Sequence, residues 1–245
     1  MDKKSYVYRI IEYLGKKAIL LFELLIEAFS GKIVFDTPYR IAGAVNLERN
    51  VEQILREYIQ VQNNRLIPGI DEFFVEQSQL ASNKSWKSFP LFIYGNEFLD
   101  NTALCPKTRE VLLNIKGFRS AMFSILSANK EIPPHRGPFK GLLRIHLGLV
   151  IPNDALNKCY IEVGGIRKHW EFGKAMMFDD TNIHAANNQT NEDRVVLFID
   201  VLRPLPFLLD KLNRLFFLLI SNSPFISETK NEYRQFGNTR FSKLK

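Results

Sequence analysis

The apolar positions of this chain follow two different periods, and the change from one to the other divides it. Ile11, Leu14, Ala18, Leu21, Leu25 and Ala28 recur at three- and four-residue spacing, which predicts an amphipathic helix ending near Ser30-Gly31. Leu47, Val51, Ile54, Leu55 and Tyr58 repeat that spacing in a second helix, stopped by Pro68-Gly69. A third is predicted from residue 106 to about 115, with Pro106 suited to a first turn and Gly117 to a C-terminal cap. From Ser120 onward the period shortens. Apolar runs at 120–126, 142–150, 158–163, 166–172, 174–178 and 194–201 alternate with Gly, Pro and Asn turns, the pattern of a double-sheet jelly roll. A last apolar segment, 207–220, is broken by Asp210, Lys211, Asn213 and Arg214, so it reads as a helix that cannot span a bilayer, and the first helix is likewise too interrupted. The expected organisation is mainly β with helical flanks: a helical region over 1–70, a jelly-roll domain over 71–205, and an amphipathic helix with a basic tail over 206–245.

Composition narrows this picture. With 245 residues, 46% of them hydrophobic, the chain can bury one sizeable core without needing a second domain. Cys105 and Cys159 lie far apart and form no CxxC pair, so no structural disulfide is expected and a reducing compartment is favoured. The N-terminal apolar stretch begins late and carries Glu23 and Glu27, unlike a secretory signal, which makes the cytoplasm the expected location. A formal net charge of +7, with Lys230, Arg234, Arg240, Lys243 and Lys245 near the end, asks for anionic partners. No basic-aromatic motif points to nucleic acid. If the 207–220 helix lies at the inner face of a membrane, anionic head groups are natural partners; if it packs on the sheet, none is needed.

The candidate chemistry sits in one segment. All 4 histidines fall between residues 135 and 184, with Arg144 and Arg194 nearby. Arg144 and His146, two apart in the 142–150 run, share one face of a strand. Arg194 opens the 194–201 strand, where a guanidinium can grip a carboxylate with a bidentate fork. His135 stands between Pro133-Pro134 and Gly137-Pro138, a stiff, irregular segment, and His184 follows the strand ending at Phe178 by a short polar turn. Neutral imidazoles delivered from two strand ends suit iron, zinc, copper or nickel. Each residue also has a plainer reading. A strand histidine is more often hydrogen-bonded than metal-bound, Arg144 could pair with a carboxylate on the sheet, Asp179-Asp180 could form only a turn, and Trp86, near Phe89, Phe92 and Tyr94, could be core. His169 matches no chemistry and reads as a solvated hairpin residue after Gly164-Gly165.

Taken in order, the pieces resemble the aspartyl/asparaginyl β-hydroxylase family of iron(II)- and 2-oxoglutarate-dependent dioxygenases, which includes peptidyl aspartyl hydroxylases and bacterial lipid A 2-hydroxylases. The likeness rests on His135-Arg136-Gly137-Pro138, the 143–152 run with Arg144 and His146, Phe178-Asp179-Asp180 before His184, and Glu192-Asp193-Arg194 leading to Asp200-Val201. Ser85-Trp86, Tyr94-Gly95, the 104–108 segment and Ala121-Met122-Phe123-Ser124 extend it over roughly residues 84–205. The resemblance implies a double-stranded β-helix, a cupin-like jelly roll. It further implies Fe(II), 2-oxoglutarate as cosubstrate and molecular oxygen, with His135 and His184 as the iron ligands. Arg194 would hold the distal carboxylate of 2-oxoglutarate, while Ser124, Arg144, His146 and Trp86 complete the cosubstrate pocket.

One position departs from most such dioxygenases, where a carboxylate two residues after the first histidine supplies a third ligand. Here that residue is Gly137, a glycine that resembles the peptidyl aspartyl hydroxylases rather than the lipid A hydroxylases, which carry aspartate. The resemblance then implies water at that coordination position, held by Asp179 or Asp180. The implied reaction is hydroxylation of an unactivated C–H, for which the protein supplies positioning and electrostatics, so no acid or base residue reveals the substrate. An acyl chain of lipid A or a related membrane lipid is favoured by the match at 86–95 and 104–108 and by the apolar flanking helices. An aspartyl or asparaginyl side chain is favoured by Gly137. The lipid reading is preferred because one ligand position can drift, whereas two apolar flanks need a reason. A silent binding module is opposed by the presence of His135, His184 and Arg194 together.

Overall fold

The computed structural model describes residues 3–72, 85–153, 157–223 and 226–233. In chain order the elements are α1 (Lys3–Ser30), β1 (Phe35–Asp36), α2 (Val45–Arg49), α3 (Val51–Asn64), β2 (Trp86–Ile93), β3 (Asn96–Glu97), α4 (Leu99–Thr102), α5 (Pro106–Leu113) and β4 (Phe118–Leu126). There follow β5 (Lys130–His135), β6 (Leu142–Val150), β7 (Cys159–Val163), β8 (Ile166–His169), β9 (Ala175–Phe178), β10 (His184–Asn188), β11 (Arg194–Leu202) and α6 (Phe207–Ser221). The strands form a seven-stranded sheet, β1-β9-β6-β11-β4-β2-β3, and a four-stranded sheet, β5-β10-β7-β8. From β4 to β11 the chain crosses repeatedly between the two, and the named strand pairs are antiparallel, which makes the expected jelly roll.

The apolar runs became strands of the larger sheet because both its faces are covered. β11 is buried at every position. Its Val195, Leu197, Ile199 and Val201 join one core cluster with Leu47, Ile54, Tyr58, Val111 and Leu112 of the helices behind the sheet. Val196 belongs to a second cluster between the sheets, with Ile161, Val163 and Phe178. A strand buried on both sides reads as a continuous apolar run, without alternation. Because α2 and α3 pack on this sheet and β1 pairs with β9, the boundary expected at residue 70 falls inside one core rather than between two.

The smaller sheet was harder to foresee. β5 contains Pro133 and Pro134, which suggested irregular chain, yet a strand with missing N–H donors is tolerated at a sheet edge, where β5 lies. β10 reads His-Ala-Ala-Asn-Asn, too polar to resemble a strand, but His184, Ala186 and Asn188 alternate inward. Asn188 Nδ2 donates to the carbonyls of Leu126, Ser127 and Glu192 at 2.8–3.1 Å, which ties the strand to the larger sheet. β2, also unforeseen, carries Pro90 at a register shift against β4. The strand expected over 166–172 ends at His169, after which Trp170 turns into the core. His169 itself is half-buried, its Nδ1 3.2 Å from the Cys159 carbonyl, rather than solvated.

α1 and α6 meet the barrel through a third cluster, in which Phe22 and Ile26 pack with Phe139, Leu142, Leu202, Leu209 and Phe217. No helix of the described residues is long and apolar enough to cross a membrane. Of the basic tail, Lys230 reaches Asn96 Oδ1 at 2.9 Å, while residues 234–245 lie outside the described residues.

Both cysteines are free and fully buried. Burial pushes the Cys105 thiol up to about 12 and raises that of Cys159. Neither thiol should therefore react with an aromatic disulfide reagent at neutral pH until the protein unfolds, when both should react. A fast-reacting thiol in the folded protein would contradict this packing.

Candidate active site

Two imidazoles are brought side by side by strand register. β5 and β10 are antiparallel with His135 opposite His184, and the ring centroids lie 4.1 Å apart. The Nδ1 of His135 is 2.8 Å from the Pro133 carbonyl, and that of His184 is 3.0 Å from the Asn182 carbonyl. A carbonyl can only accept, so each Nδ1 carries the proton and donates, leaving each Nε2 with a lone pair for a metal. Burial keeps both rings neutral, lowering His135 and pushing His184 down to about 3, with the neighbouring His135 adding to the effect on His184. Among the described residues no trio of His, Cys, Asp or Glu side chains is arranged as a metal cluster. What the sheet offers is a pair of imidazoles.

Beside Gly137 stands a carboxylate from another segment. The Gly137 N–H donates to the Asp180 carbonyl at 2.8 Å, and a Cβ at residue 137 would collide with the Asp180 carboxylate. Asp180 is held by Arg144 Nη2 at 2.9 Å, and Arg144 also donates to Asp200 Oδ1 at 3.0 Å. Burial raises the Asp180 carboxyl against the lowering effect of Arg144. Asp179 faces elsewhere. It accepts from Thr181 Oγ1 at 2.6 Å and pairs with the buried Arg203. Of the two aspartates expected to hold water, only Asp180 is beside Gly137. Gly137→Ala should force the Asp180 carboxylate out of its bond with Arg144, at a cost of about 1–3 kcal/mol. A thermal melt identical to that of the parent protein would show that Asp180 has another place to go.

The cavity beside His135 and His184 is lined by two buried side chains that each carry an unsatisfied nitrogen, Arg194 Nε and His146 Nε2. Arg194 is 1% exposed, its guanidinium lies 4.5 Å over the Trp170 ring, and its Nη1 donates only to the Ser124 carbonyl at 3.4 Å. Its Nε is unsatisfied, and no carboxylate among the described residues pairs with it. Burial lowers its pKa to about 10, so it remains a cation at neutral pH. Trp170 Nε1 donates to His146 Nδ1 at 3.3 Å, which places the His146 proton on Nε2, an atom with no partner. Trp86 Nε1 donates to Ser124 Oγ at 2.9 Å, leaving that hydroxyl hydrogen free to turn toward the cavity. A buried cation and a buried neutral donor left unsatisfied together are costly unless an anion meets them.

The residues expected as metal ligands and cosubstrate contacts, Trp86, Ser124, His135, Arg144, His146, His184 and Arg194, line this one cavity. Arg144 differs from the rest in being committed already to Asp180 and Asp200, with its guanidinium 4.0 Å over Phe198.

Residues 48–204 match the sequence profile of aspartyl/asparaginyl β-hydroxylases. The chain belongs to this family. An ornithine lipid ester-linked acyl 2-hydroxylase of Rhizobium tropici is 34% identical over 203 residues, covering 82% of this chain and 72% of that protein. The aspartyl/asparaginyl β-hydroxylase of Homo sapiens is 31% identical over 164 residues, 65% of this chain but only 21% of that protein. The chain thus spans about a fifth of the mammalian relative's length. Among solved structures, a Cupin_2 domain of an XRE family transcriptional regulator from Enterobacter cloacae overlays with a TM-score of 0.34 at 12% identity, over 49% of this chain and 99% of that one.

Two residues of the hydroxylase site lay beyond the reach of sequence reasoning. Trp170 stacks on Arg194 and fixes the His146 tautomer, but in the sequence it looks like the end of a charged hairpin, Arg167-Lys168-His169. Arg203, which holds Asp179, follows β11 as one more basic residue before proline. An arginine fully buried beside an apolar strand is the only signal, and burial is not visible in a sequence.

Proposed function

We propose that this hydroxylase binds Fe(II) through His135 and His184 and 2-oxoglutarate through Arg194, and that it hydroxylates an acyl chain of a membrane lipid, lipid A or a related class. The reading is carried by the buried Arg194, whose Nε is unsatisfied and which meets no carboxylate among the described residues, in one cavity with a pair of neutral imidazoles. When bound, the metal and cosubstrate would supply the oxidising power that inserts one oxygen of O2 into a C–H bond. The chain's own part is positioning. The Pro133 and Asn182 carbonyls hold the imidazole tautomers, and Arg194, the His146 Nε2–H and the Ser124 hydroxyl offer donors to a carboxylate. Asp180, held by Arg144 beside Gly137, would offer an acceptor to a metal-bound water. Phe178 and Phe198 line the same cavity and give it apolar walls.

The choice of lipid follows from extent. The match to the ornithine lipid hydroxylase covers 82% of this chain, against 65% for the human aspartyl/asparaginyl enzyme, so it takes in flanking sequence that the latter does not. A second reading, hydroxylation of an aspartyl or asparaginyl side chain, draws on Gly137. Incubating the iron-loaded protein with 2-oxoglutarate and either lipid or an aspartyl peptide separates the two. We expect iron-dependent succinate formation together with a gain of one oxygen on the lipid acyl chain by mass spectrometry. The same gain on the peptide alone would replace the lipid reading with the second one, and no succinate under any condition would remove both.

A further inference from the structure

The two flanking helices are apolar on two sides: Phe22, Ile26, Leu209 and Phe217 pack on the barrel, and a second apolar strip faces outward. Past Lys17, the exposed large side chains of α1 are Leu20, Leu21, Leu24, Leu25 and Phe29, while Glu23 is buried and Glu27 is half-buried. Glu23, only 6% exposed, accepts from Arg136 Nη2 at 2.5 Å and from the Lys140 backbone N–H at 3.2 Å, and Glu27 pairs with Lys140 Nζ at 2.9 Å. α6 repeats the pattern. Phe207, Leu208, Leu212, Leu215, Leu218 and Leu219 are exposed, whereas Asn213 is buried and donates to the Gly141 carbonyl at 2.8 Å. An ordinary surface helix buries its apolar stripe and exposes its polar one. The helices adjoin at Phe22 and Phe216, whose rings stack with centroids 4.8 Å apart.

We propose that the outer faces of α1 and α6 together form a surface that lies in the interface of a bilayer carrying anionic head groups. The inference deepens the lipid reading above and rests on it for the substrate that such a surface would serve. Charge argues for the bilayer over a second copy of the chain. From residue 17 along α1 and throughout α6 the exposed charged side chains are Lys17, Lys211 and Arg214, all basic, and the less exposed acids Glu23, Glu27 and Asp210 are each neutralised in an ion pair, Asp210 by Arg214 itself. A two-fold pairing of these faces would bring like charges of a +7 chain together. It would also need interfacial hydrogen bonds, about one for each 100–200 Å² buried, and the leucine-lined strips expose few groups to make them. A bilayer requires neither. Apolar side chains sink roughly 5–10 Å into the head-group boundary while lysine and arginine reach back to the phosphates. The surface is fastened near the catalytic cavity, because the partners of Glu23 and Glu27 are Arg136 and Lys140, in the segment just after His135.

The test is vesicle flotation of the full chain with phosphatidylcholine alone and with phosphatidylcholine containing phosphatidylglycerol, beside the double variant Leu24→Glu/Leu215→Glu. Both leucines are more than half exposed, so the variant should melt with the parent protein. We expect the parent to float with the anionic vesicles, less so as ionic strength rises, and the variant to lose binding by more than ~10-fold. A parent protein that ignores anionic vesicles at low ionic strength overturns the proposal. So does a double variant that floats equally well, or a dimer in sedimentation equilibrium that the variant dissociates without any vesicle binding. Flotation needs no turnover. A chain that floats but oxidises only peptide sinks the lipid substrate and supports the surface; one that hydroxylates detergent-dispersed lipid without floating sinks the surface and leaves the substrate.

Discussion

His184→Ala should bind ferrous iron, or cobalt(II) as an air-stable stand-in, more weakly by a margin exceeding the ~10–100-fold typical of losing an outer-shell partner. The imidazole is one of two that strand register brings together, and its Nε2 has the only lone pair that β10 offers there. His135→Ala should behave alike. His169→Ala is the control, since that ring lies on β8 against the Cys159 carbonyl and lines no part of the cavity. The measurement is a metal titration on protein verified as folded by circular dichroism. Metal affinity equal to the parent's in His184→Ala would sink the metal assignment, whatever became of activity.

Arg194→Met is expected to separate ligand binding from stability. Losing the fork that meets a buried carboxylate should weaken 2-oxoglutarate binding by about 2–5 kcal/mol, a factor of roughly 30 or more in the dissociation constant. In the absence of ligand the sign reverses. The parent protein buries a cation with no carboxylate partner among the described residues, a destabilising arrangement that methionine of similar length relieves. The ligand-free variant should therefore melt no lower than the parent. Unchanged affinity for 2-oxoglutarate would move the cosubstrate elsewhere, and a lower melting temperature without ligand would mean that Arg194 is mainly a packing residue against Trp170.

The larger sheet was legible in the sequence because hydrophobic burial dictates its composition: β6 and β11 must be apolar on both faces or carry the site. The smaller sheet was not, because its composition answers to other demands. β5 spends two positions on prolines that an edge tolerates, and β10 uses small and amide residues to line the cavity and bind the larger sheet. The motif order pointed to His135 and His184 where propensity could not. It could not separate Asp179 from Asp180, since adjacent residues on a turn point in different directions and only the fold shows which one meets Gly137. Glu23 and Glu27 looked like interruptions of an apolar stretch. The structure gives them partners, Arg136 and Lys140, beside the inward Phe22 and Ile26, which periodicity alone cannot reveal, because it does not show what an acid on a helix meets.

The treatment of the sheet margins bears on how this protein behaves in concentrated solution. The larger sheet ends in β1 and β3, each only two residues long; the smaller ends in the proline-bearing β5 and in β8, whose Arg167 and Lys168 are exposed. Short, charged or proline-containing margins give an incoming strand little to hydrogen-bond with. Clumping of the purified protein should therefore proceed through leucine-rich helices rather than growing cross-β fibrils, should leave thioflavin dark, and should dissolve in mild detergent.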